Sequence, residues 1–371
     1  MKITRIDTIP VRVPLRADRM IRSARGTHAT SPFLLVKIYT DEDIVGLGEV
    51  SCTPRWSGED HFTAQHFIQT IIGPSLIGED PTRIEDLNLN IERGVARNPF
   101  TKAALEMALW DILGKSLGQP VYRLLGGAVR NDVSIKWSIT GQEPPRAAEI
   151  ASWAVQQGFA AMKVKVGLDP ASDVERVAAV RKEIGSGIRL GVDANGGWPV
   201  RTALKIIPRL KEQDIFFVEQ PVPAWDIAGM AQVRRRISLP VIADESVYTT
   251  HDAMALVRAD AADVLSVYVG KAGGISNARK VVAVAEAAGV ACTIGSNLEM
   301  GIGSAAMIHL AMATRGVRAE EFPCDIIGPL YYEDDLLVEP LHISDGKARP
   351  HERPGLGVEL DEEKVRRYTV S

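Results

Sequence analysis

Met162-Lys163-Val164-Lys165-Val166, Gly191-Val192-Asp193-Ala194-Asn195, Phe217-Val218-Glu219-Gln220-Pro221 and Ile242-Ala243-Asp244-Glu245-Ser246 follow one another along the chain. Each is a short apolar run that ends in charge. Asp193 and Glu219 are 26 residues apart, and Glu219 and Asp244 are 25 apart. That spacing is the length of one strand-plus-helix unit of a parallel barrel, so three carboxylates fall at the carboxyl ends of three successive strands, the face where barrel enzymes keep their active sites. Three oxygen ligands with no His or Cys among them suit a hard cation, Mg²⁺ or Mn²⁺ in its place. Lys163 and Lys165, at i and i+2 on the preceding strand, point to one side, toward that cation. Alone, the two lysines would read better as solvated residues of an exposed edge strand; the carboxylate series reverses that in favour of a site.

Outward from this stretch the same rhythm continues. Strands are expected at 133–139, 162–167, 189–194, 216–220, 241–245, 264–270 and 291–296, with a weak eighth near 320–323. Helices are expected at 146–158, 172–184, 200–213, 225–236, 251–259, 275–288 and 300–313. The fold class is therefore α/β: a modified (β/α)8 barrel of seven clear units and a weak eighth, over residues 131–325. An open doubly wound sheet is the alternative, but Gly270-Lys271-Ala272-Gly273-Gly274 has neither a dinucleotide nor a phosphate-loop spacing. Residues 1–130 read as an α+β capping domain. It has strands at 3–15, 32–40 and 44–52, the last two a hairpin around Asp41-Glu42-Asp43, then helices near 61–73, 81–94 and 99–117. Residues 326–371 read as a tail that returns to the cap.

The 371 residues carry a net charge of −4 with no block of one sign, which argues against nucleic acid or an acidic membrane as partner. Cys52, Cys292 and Cys324 are far apart without metal-ligand spacing, as in a reduced cytoplasmic protein. Met1 to Met20 has charges throughout and does not read as a signal peptide. No run reaches the ~20 apolar residues of a membrane span. The expected partners are a small-molecule carboxylate substrate and further copies of the chain in a homo-oligomer.

Lys-x-Lys, Asp-x-Asn, Val-Glu-Gln-Pro and Ala-Asp-Glu-Ser, in this order, resemble the enolase superfamily in its mandelate racemase and muconate-lactonizing branch. The resemblance covers nearly the whole chain, cap and tail included. It implies that Asp193, Glu219 and Asp244 bind Mg²⁺, that Lys165 is the acid/base on one face of the substrate, and that Lys163 sits beside it near the carboxylates. The physical logic is independent of the family. Taking a proton α to a carboxylate creates a doubly negative enediolate, and a divalent cation offsets that charge as it forms. A lysine next to a second cationic group gives up its proton more readily.

Strand six departs from the pattern. Relatives with two lysine bases carry the second one five residues before a Gly-Gly pair, and here that position is Tyr268. Either Lys271 takes the role in a shifted register, or the second face has Tyr268 and no lysine. Mandelate-type enzymes use a His at the end of strand seven, and Cys292-Thr293-Ile294-Gly295-Ser296 has none. His309 reads as a core or interface histidine. Glu245 follows Asp244, so alternation aims it into the wall, paired with a lysine. Asn195 either orients a ligand or substrate or is a plain loop residue. Glu299 either lines the site or favours a helix N-terminus.

Two polar loops containing Arg, Arg16 to Thr30 (Arg19, Arg22, Arg25, His28) and Thr53 to Glu59 (Arg55, Trp56), are candidates for holding a second substrate carboxylate, with Trp56 walling off water. Surface loops with ordinary arginines are the plain alternative. The leading expectation is a Mg²⁺-dependent isomerase that cycloisomerises a muconate-like dicarboxylate. Racemisation or epimerisation of an amino-acid derivative, dehydration of a hydroxy acid, and a non-catalytic binding barrel are the alternatives.

Overall fold

The structure, a computed structural model, describes residues 1–28 and 30–370, with the side chain of His28 outside that description. The strands in chain order are β1 (Ile3–Pro14), β2 (Ile21–Ser23), β3 (Gly26–His28), β4 (Thr30–Thr40), β5 (Val45–Ser51), β6 (Val133–Ser134), β7 (Trp137–Ile139), β8 (Ala161–Lys165), β9 (Arg189–Asp193), β10 (Ile215–Glu219), β11 (Val241–Ala243), β12 (Val264–Val267), β13 (Ala291–Ile294), β14 (His342–Ser344) and β15 (Lys347–Arg349).

Strands β7 to β13 form one parallel sheet in sequence order. Between them run the helices Pro144–Gln156, Pro170–Ile184, Val200–Lys211, Ile227–Arg234, Thr250–Ala259 and Ile275–Ala287, and Gly301–Ala313 follows β13. Residues 316–325 join the two edges of the sheet. Val317 bridges Cys292 on one side, and Cys324 bridges Ile135 on the other. The weak eighth strand is thus an irregular connection that closes the barrel and contains the expected 320–323.

Side-chain alternation divides each strand between two environments. Val164, Val192, Val218, Ala243, Leu265 and Cys292 belong to the core packed with the surrounding helices. Phe217, Ile242, Val264, Ala291 and Phe322 form a separate apolar layer within the barrel. One step further along the same inward rows stand Lys165, Asp193, Glu219 and Asp244. In β8 to β10 this layering follows from register, since Lys165 pairs with Asp193 and Asp193 with Glu219.

Four expectations need correction. The first strand, expected unbroken over 133–139, is split: β6 pairs with β15 of the tail, and β7 with β8. Strand six, expected to run to 270, stops at Val267, and Val269–Ala272 form a single helical turn closed by Gly273 at φ 84°. Residues 16–30 are not a plain loop, because β2 and β3 pair as a short hairpin. The helix expected over 61–73 is α-helical only over His61–Phe67 and then widens to a π-turn over Ile68–Ile72.

The cap is a three-stranded antiparallel sheet, β1–β4–β5, with the helix Pro99–Ser116 against it. That helix is buried nearly all round, with apolar residues on every face and its buried Lys102, Glu106 and Asp111 each given partners. Gly48 of β5 allows the close approach: a Cβ there would lie 1.8 Å from the Ala104 carbonyl oxygen. The tail touches β1 through a Val11–Thr369 bridge and the residue after it through Leu15–Tyr332. Carboxylates of the cap also cap barrel helices. Glu49 accepts from the N–H groups of Met300 and Gly303, and Glu106 from those of Ile275 and Ser276. These bonds satisfy orphan donors at two barrel helix N-termini and fix the cap over the barrel mouth. Among the described residues no helix is long and apolar enough to cross a membrane.

Candidate active site

Lys163 and Lys165 both reach across from β8 to Asp193 on β9. Lys165 Nζ donates to Asp193 Oδ2 at 2.6 Å. Lys163 Nζ lies 3.3 Å from the same oxygen, 2.8 Å from Glu219 Oε1 and 2.9 Å from Asp325 Oδ2. Lys163 is therefore enclosed by three carboxylates, while Lys165 is held by one. Burial works against the charge on Lys163, yet Asp325, Glu219 and Asp193 together hold it well above the ordinary lysine range. Burial would raise Asp193 as well, but Lys165 and then Lys163 outweigh it and keep its carboxyl below the usual carboxylate range. Glu219 goes the other way. Burial, reinforced by Asp193 and Asp325, pushes it up to about 8 against the pull of Lys163.

Asp244 stands just past the end of β11. Its Oδ1 accepts from Lys271 Nζ at 2.7 Å and its Oδ2 from the Tyr268 hydroxyl at 2.8 Å. Both strand-six candidates thus meet one carboxylate, because the helical turn after β12 brings Lys271 back toward Asp244. They are not equivalent. Tyr268 lines the cavity, whereas Lys271 is buried behind it. Gly295 makes room for Tyr268: a Cβ there would lie 1.9 Å from the ring. Burial and then Asp244 hold the Tyr268 phenol well above its usual range.

The expectation for Glu245 is overturned. β11 ends at Ala243, so strict alternation stops before Glu245, and its side chain meets residues that line the mouth while standing outside the lining itself. Glu245 Oε1 accepts from Asn195 Nδ2 at 3.0 Å and Trp56 Nε1 at 3.3 Å, with Arg25 Nε 3.9 Å away. Trp56 stacks on Tyr268 at 5.4 Å and 11°. Asn195, at φ 44°, gives its own N–H to Asp193 Oδ1. Residues held at such backbone angles cost energy and persist where their surroundings fix them. Glu299 is buried and lies outside the cavity lining; it accepts from the Ser296 hydroxyl and the Asn297 N–H. His309 is a core histidine, stacked on Tyr122 and accepting the Tyr122 N–H at Nδ1.

Three participants escaped the sequence reading. Asp325 ends the irregular eighth strand and lines the cavity. Lys136, almost wholly buried, donates to the Pro323 carbonyl at 2.6 Å and lies 3.1 Å from Asp325 Oδ2. Gln220, at φ 33°, receives the N–H groups of Asp244 and Ser246 on Oε1 and so sets the turn that presents Asp244. Gln220 stood in the Val-Glu-Gln-Pro motif beside Glu219, and that adjacency was the available signal. Asp325 had none, since it lies on no regular strand; Lys136 stands inside the strand expected over 133–139, and its alternation with the core residues Val133, Ile135, Trp137 and Ile139 was the available signal.

The cavity opens at the barrel mouth beneath the cap, a usual position for a small-molecule site. Lys163, Lys165, Asn195, Asp244, Tyr268 and Asp325 line it from the barrel; Arg25, Arg55 and Trp56 line it from the cap. Asp193, Glu219, Asp244, Glu245 and Asp325 are five buried carboxylates, set against the four ammonium groups of Lys136, Lys163, Lys165 and Lys271. Glu219 Oε2 and Asp325 Oδ1 are buried with no hydrogen-bond partner among the described residues. An all-oxygen donor set with unsatisfied buried oxygens fits a hard divalent cation.

Comparison with known proteins agrees with this architecture. Residues 146–364 match the enolase C-terminal domain-like family, and residues 5–126 match the mandelate racemase/muconate lactonizing enzyme N-terminal domain. Muconate cycloisomerase 1 of Rhodococcus opacus is 38% identical over 100% of this chain and 99% of its own length. The crystal structure of N-succinyl Arg/Lys racemase from Bacillus cereus has a TM-score of 0.95 at 33% identity, covering 100% of this chain and 99% of that one. Dipeptide epimerase from Enterococcus faecalis, solved with Mg and a dipeptide, has a TM-score of 0.91 at 31% identity, covering 97% of this chain and 100% of that one. The curled parallel sheet, the cap above it and both family matches lead to one conclusion: this chain is an isomerase of the enolase superfamily, in its mandelate racemase/muconate-lactonizing family.

Proposed function

We propose that this isomerase cycloisomerises a muconate-like dicarboxylate by one-base chemistry, with Lys165 carrying the proton. The observation behind this reading is the asymmetry of the cavity. Lys165 lines one side, and on the other stands the Tyr268 hydroxyl, committed to Asp244, with Lys271 buried behind it. Inverting a carbon centre by proton transfer needs a group on each face, whereas lactonisation needs one. Asp193, Glu219 and Asp244 would hold Mg²⁺, as the Mg-containing epimerase structure supports, and the cation would supply a counter-charge for the substrate carboxylate.

In this reading Arg25 and Arg55 hold the second carboxylate from the cap. The internal carboxylate adds to the double bond, and Lys165 delivers a proton to the α-carbon from the Asp193 side. No atom is gained or lost. Lys163, clasped by Asp193, Glu219 and Asp325, acts as a fixed positive charge. The three free, buried thiols support a reducing, cytoplasmic setting.

Racemisation of an N-acylated amino acid is the second reading, favoured by the racemase likeness and by the hydroxyl that Tyr268 places opposite Lys165. Exchange in D₂O separates the two. One-base chemistry predicts exchange of the product α-proton with a single stereochemistry, abolished in Lys165→Ala and largely intact in Tyr268→Phe. Turnover of both enantiomers, with exchange lost in Lys271→Ala, would restore a two-base racemase. A product lighter by one water would identify a lyase.

A further inference from the structure

The tail hairpin β14–β15 pairs with β6, so it lies toward the amino-terminal side of the barrel strands, away from Lys165. At its open end three side chains converge. Glu339 and His342 enter the hairpin, and His351 leaves it. One donor atom from each lies within 4.8 Å of the other two. The His342 and His351 rings have centroids 4.5 Å apart at 62°, and His351 Nδ1 is 4.0 Å from Glu339 Oε1. We infer that Glu339, His342 and His351 form a second metal site, separate from the catalytic cavity, that takes a borderline transition-metal cation such as Zn²⁺ or Co²⁺.

Four observations support this. The donor set, two imidazoles and a carboxylate, matches the preference of such cations and not of Mg²⁺. The frame is built, since register pairs His342 with Arg349 and so holds the two histidine segments side by side. Arg353 pairs with Glu339 Oε2, leaving Oε1 as the oxygen nearest His351; partners of this kind orient metal ligands. His351 is 4% exposed and its Nε2 is buried without a hydrogen-bond partner among the described residues, so the ring that contributes to the cluster has an unsatisfied nitrogen.

His342 is exposed and Glu339 half-exposed, so a cation can enter from solvent. Bonds of about 2.1 Å bring tetrahedral donors to roughly 3.4 Å from one another, a closure of at most about 1.4 Å from the 4.8 Å within which the donors lie, which side-chain rotation can supply. Bound there, the cation would tie the strand entering the hairpin to the strand leaving it.

The test uses the full chain, stripped with chelator and then kept in millimolar Mg²⁺ so that the barrel carboxylates are supplied with their own cation. Co²⁺ is titrated while visible absorption and equilibrium dialysis are read. The inference expects one Co²⁺ per chain beyond the Mg²⁺, with absorption bands of nitrogen ligation that Zn²⁺ displaces. His342→Ala, an exposed position, should weaken that binding more than about tenfold, since even an outer partner of a ligand is worth that much. Its isomerase activity with Mg²⁺ should stay at the wild-type level, which also shows that it is folded. Asp244→Asn should keep the Co²⁺ signal. Wild type binding no more Co²⁺ than His342→Ala, or a signal lost in Asp244→Asn, would overturn the inference.

Discussion

Replacing Lys136 with Met should destabilise the protein by about 3 kcal/mol. The ammonium of Lys136 lies 3.1 Å from Asp325 Oδ2, and both side chains are almost wholly buried. At an effective dielectric constant of about 20 the Coulomb attraction at that distance is roughly 5 kcal/mol, and desolvation of the two ions offsets much of it. The pair as a whole therefore contributes little. Removing one partner is different, because it strands the other charge in the interior, at about 3–5 kcal/mol. The low end applies here, since Lys163 still serves the same Asp325 oxygen at 2.9 Å. The Pro323 carbonyl also loses its donor. Urea unfolding followed by tryptophan fluorescence, with a common slope for all variants, measures the loss. Adding Asp325→Asn removes the stranded charge, so the double variant should be more stable than the sum of the two single losses implies. A loss below about 1 kcal/mol for Lys136→Met, or strict additivity, would refute the reasoning.

Two further outcomes are expected. Burial lowers His309 to about 4, from an unperturbed value near ~6.5, and its Nδ1 must stay unprotonated to accept the Tyr122 N–H. A base with a depressed folded pKa is unperturbed by pH above the unfolded value and loses stability as pH falls from about 6.5 toward 4. The unfolded chain binds the proton more tightly in that window, for a total of about 3 kcal/mol. His309→Gln should flatten this part of the stability–pH curve, and an unchanged slope between pH 6.5 and 4 would remove His309 as its source. Arg25→Ala and Arg55→Ala, changing residues that line the cavity from the cap, should raise KM for a dicarboxylate with metal affinity unchanged; steady-state kinetics with a Mg²⁺ titration reads both, and an unaltered KM in both variants counts against a second carboxylate there.

Each miss in the sequence reading has a local cause. Glu245 was aimed into the wall by extending an alternation that ends at Ala243; two residues of extra strand separate a wall residue from one that binds Asn195 and Trp56. Periodicity does not rank Lys271 against Tyr268, because an apolar run that reads as strand to residue 270 leaves the strand at Val267. The helical turn that replaces it sends Lys271 back to Asp244 and leaves Tyr268 at the surface of the cavity. Asp325 leaves no periodic trace because the closing segment is irregular, and Lys136 sits at the break between β6 and β7, inside what reads as one strand.

By itself, the sequence determined the barrel, the three carboxylates at successive strand ends and the two lysines that face them. Those features repeat with the period of one strand and one helix, and side-chain direction along a strand follows from the backbone of that strand alone. Tertiary structure decided where each strand stops, how residues 316–325 close the sheet, and which charges then meet. Lys163 among Asp193, Glu219 and Asp325, and Lys136 beside Asp325, join strands far apart in the chain. The physical reason is that buried charges must find counter-charges across the closed barrel, and such partners are chosen by distance in space, which spacing along the chain does not encode.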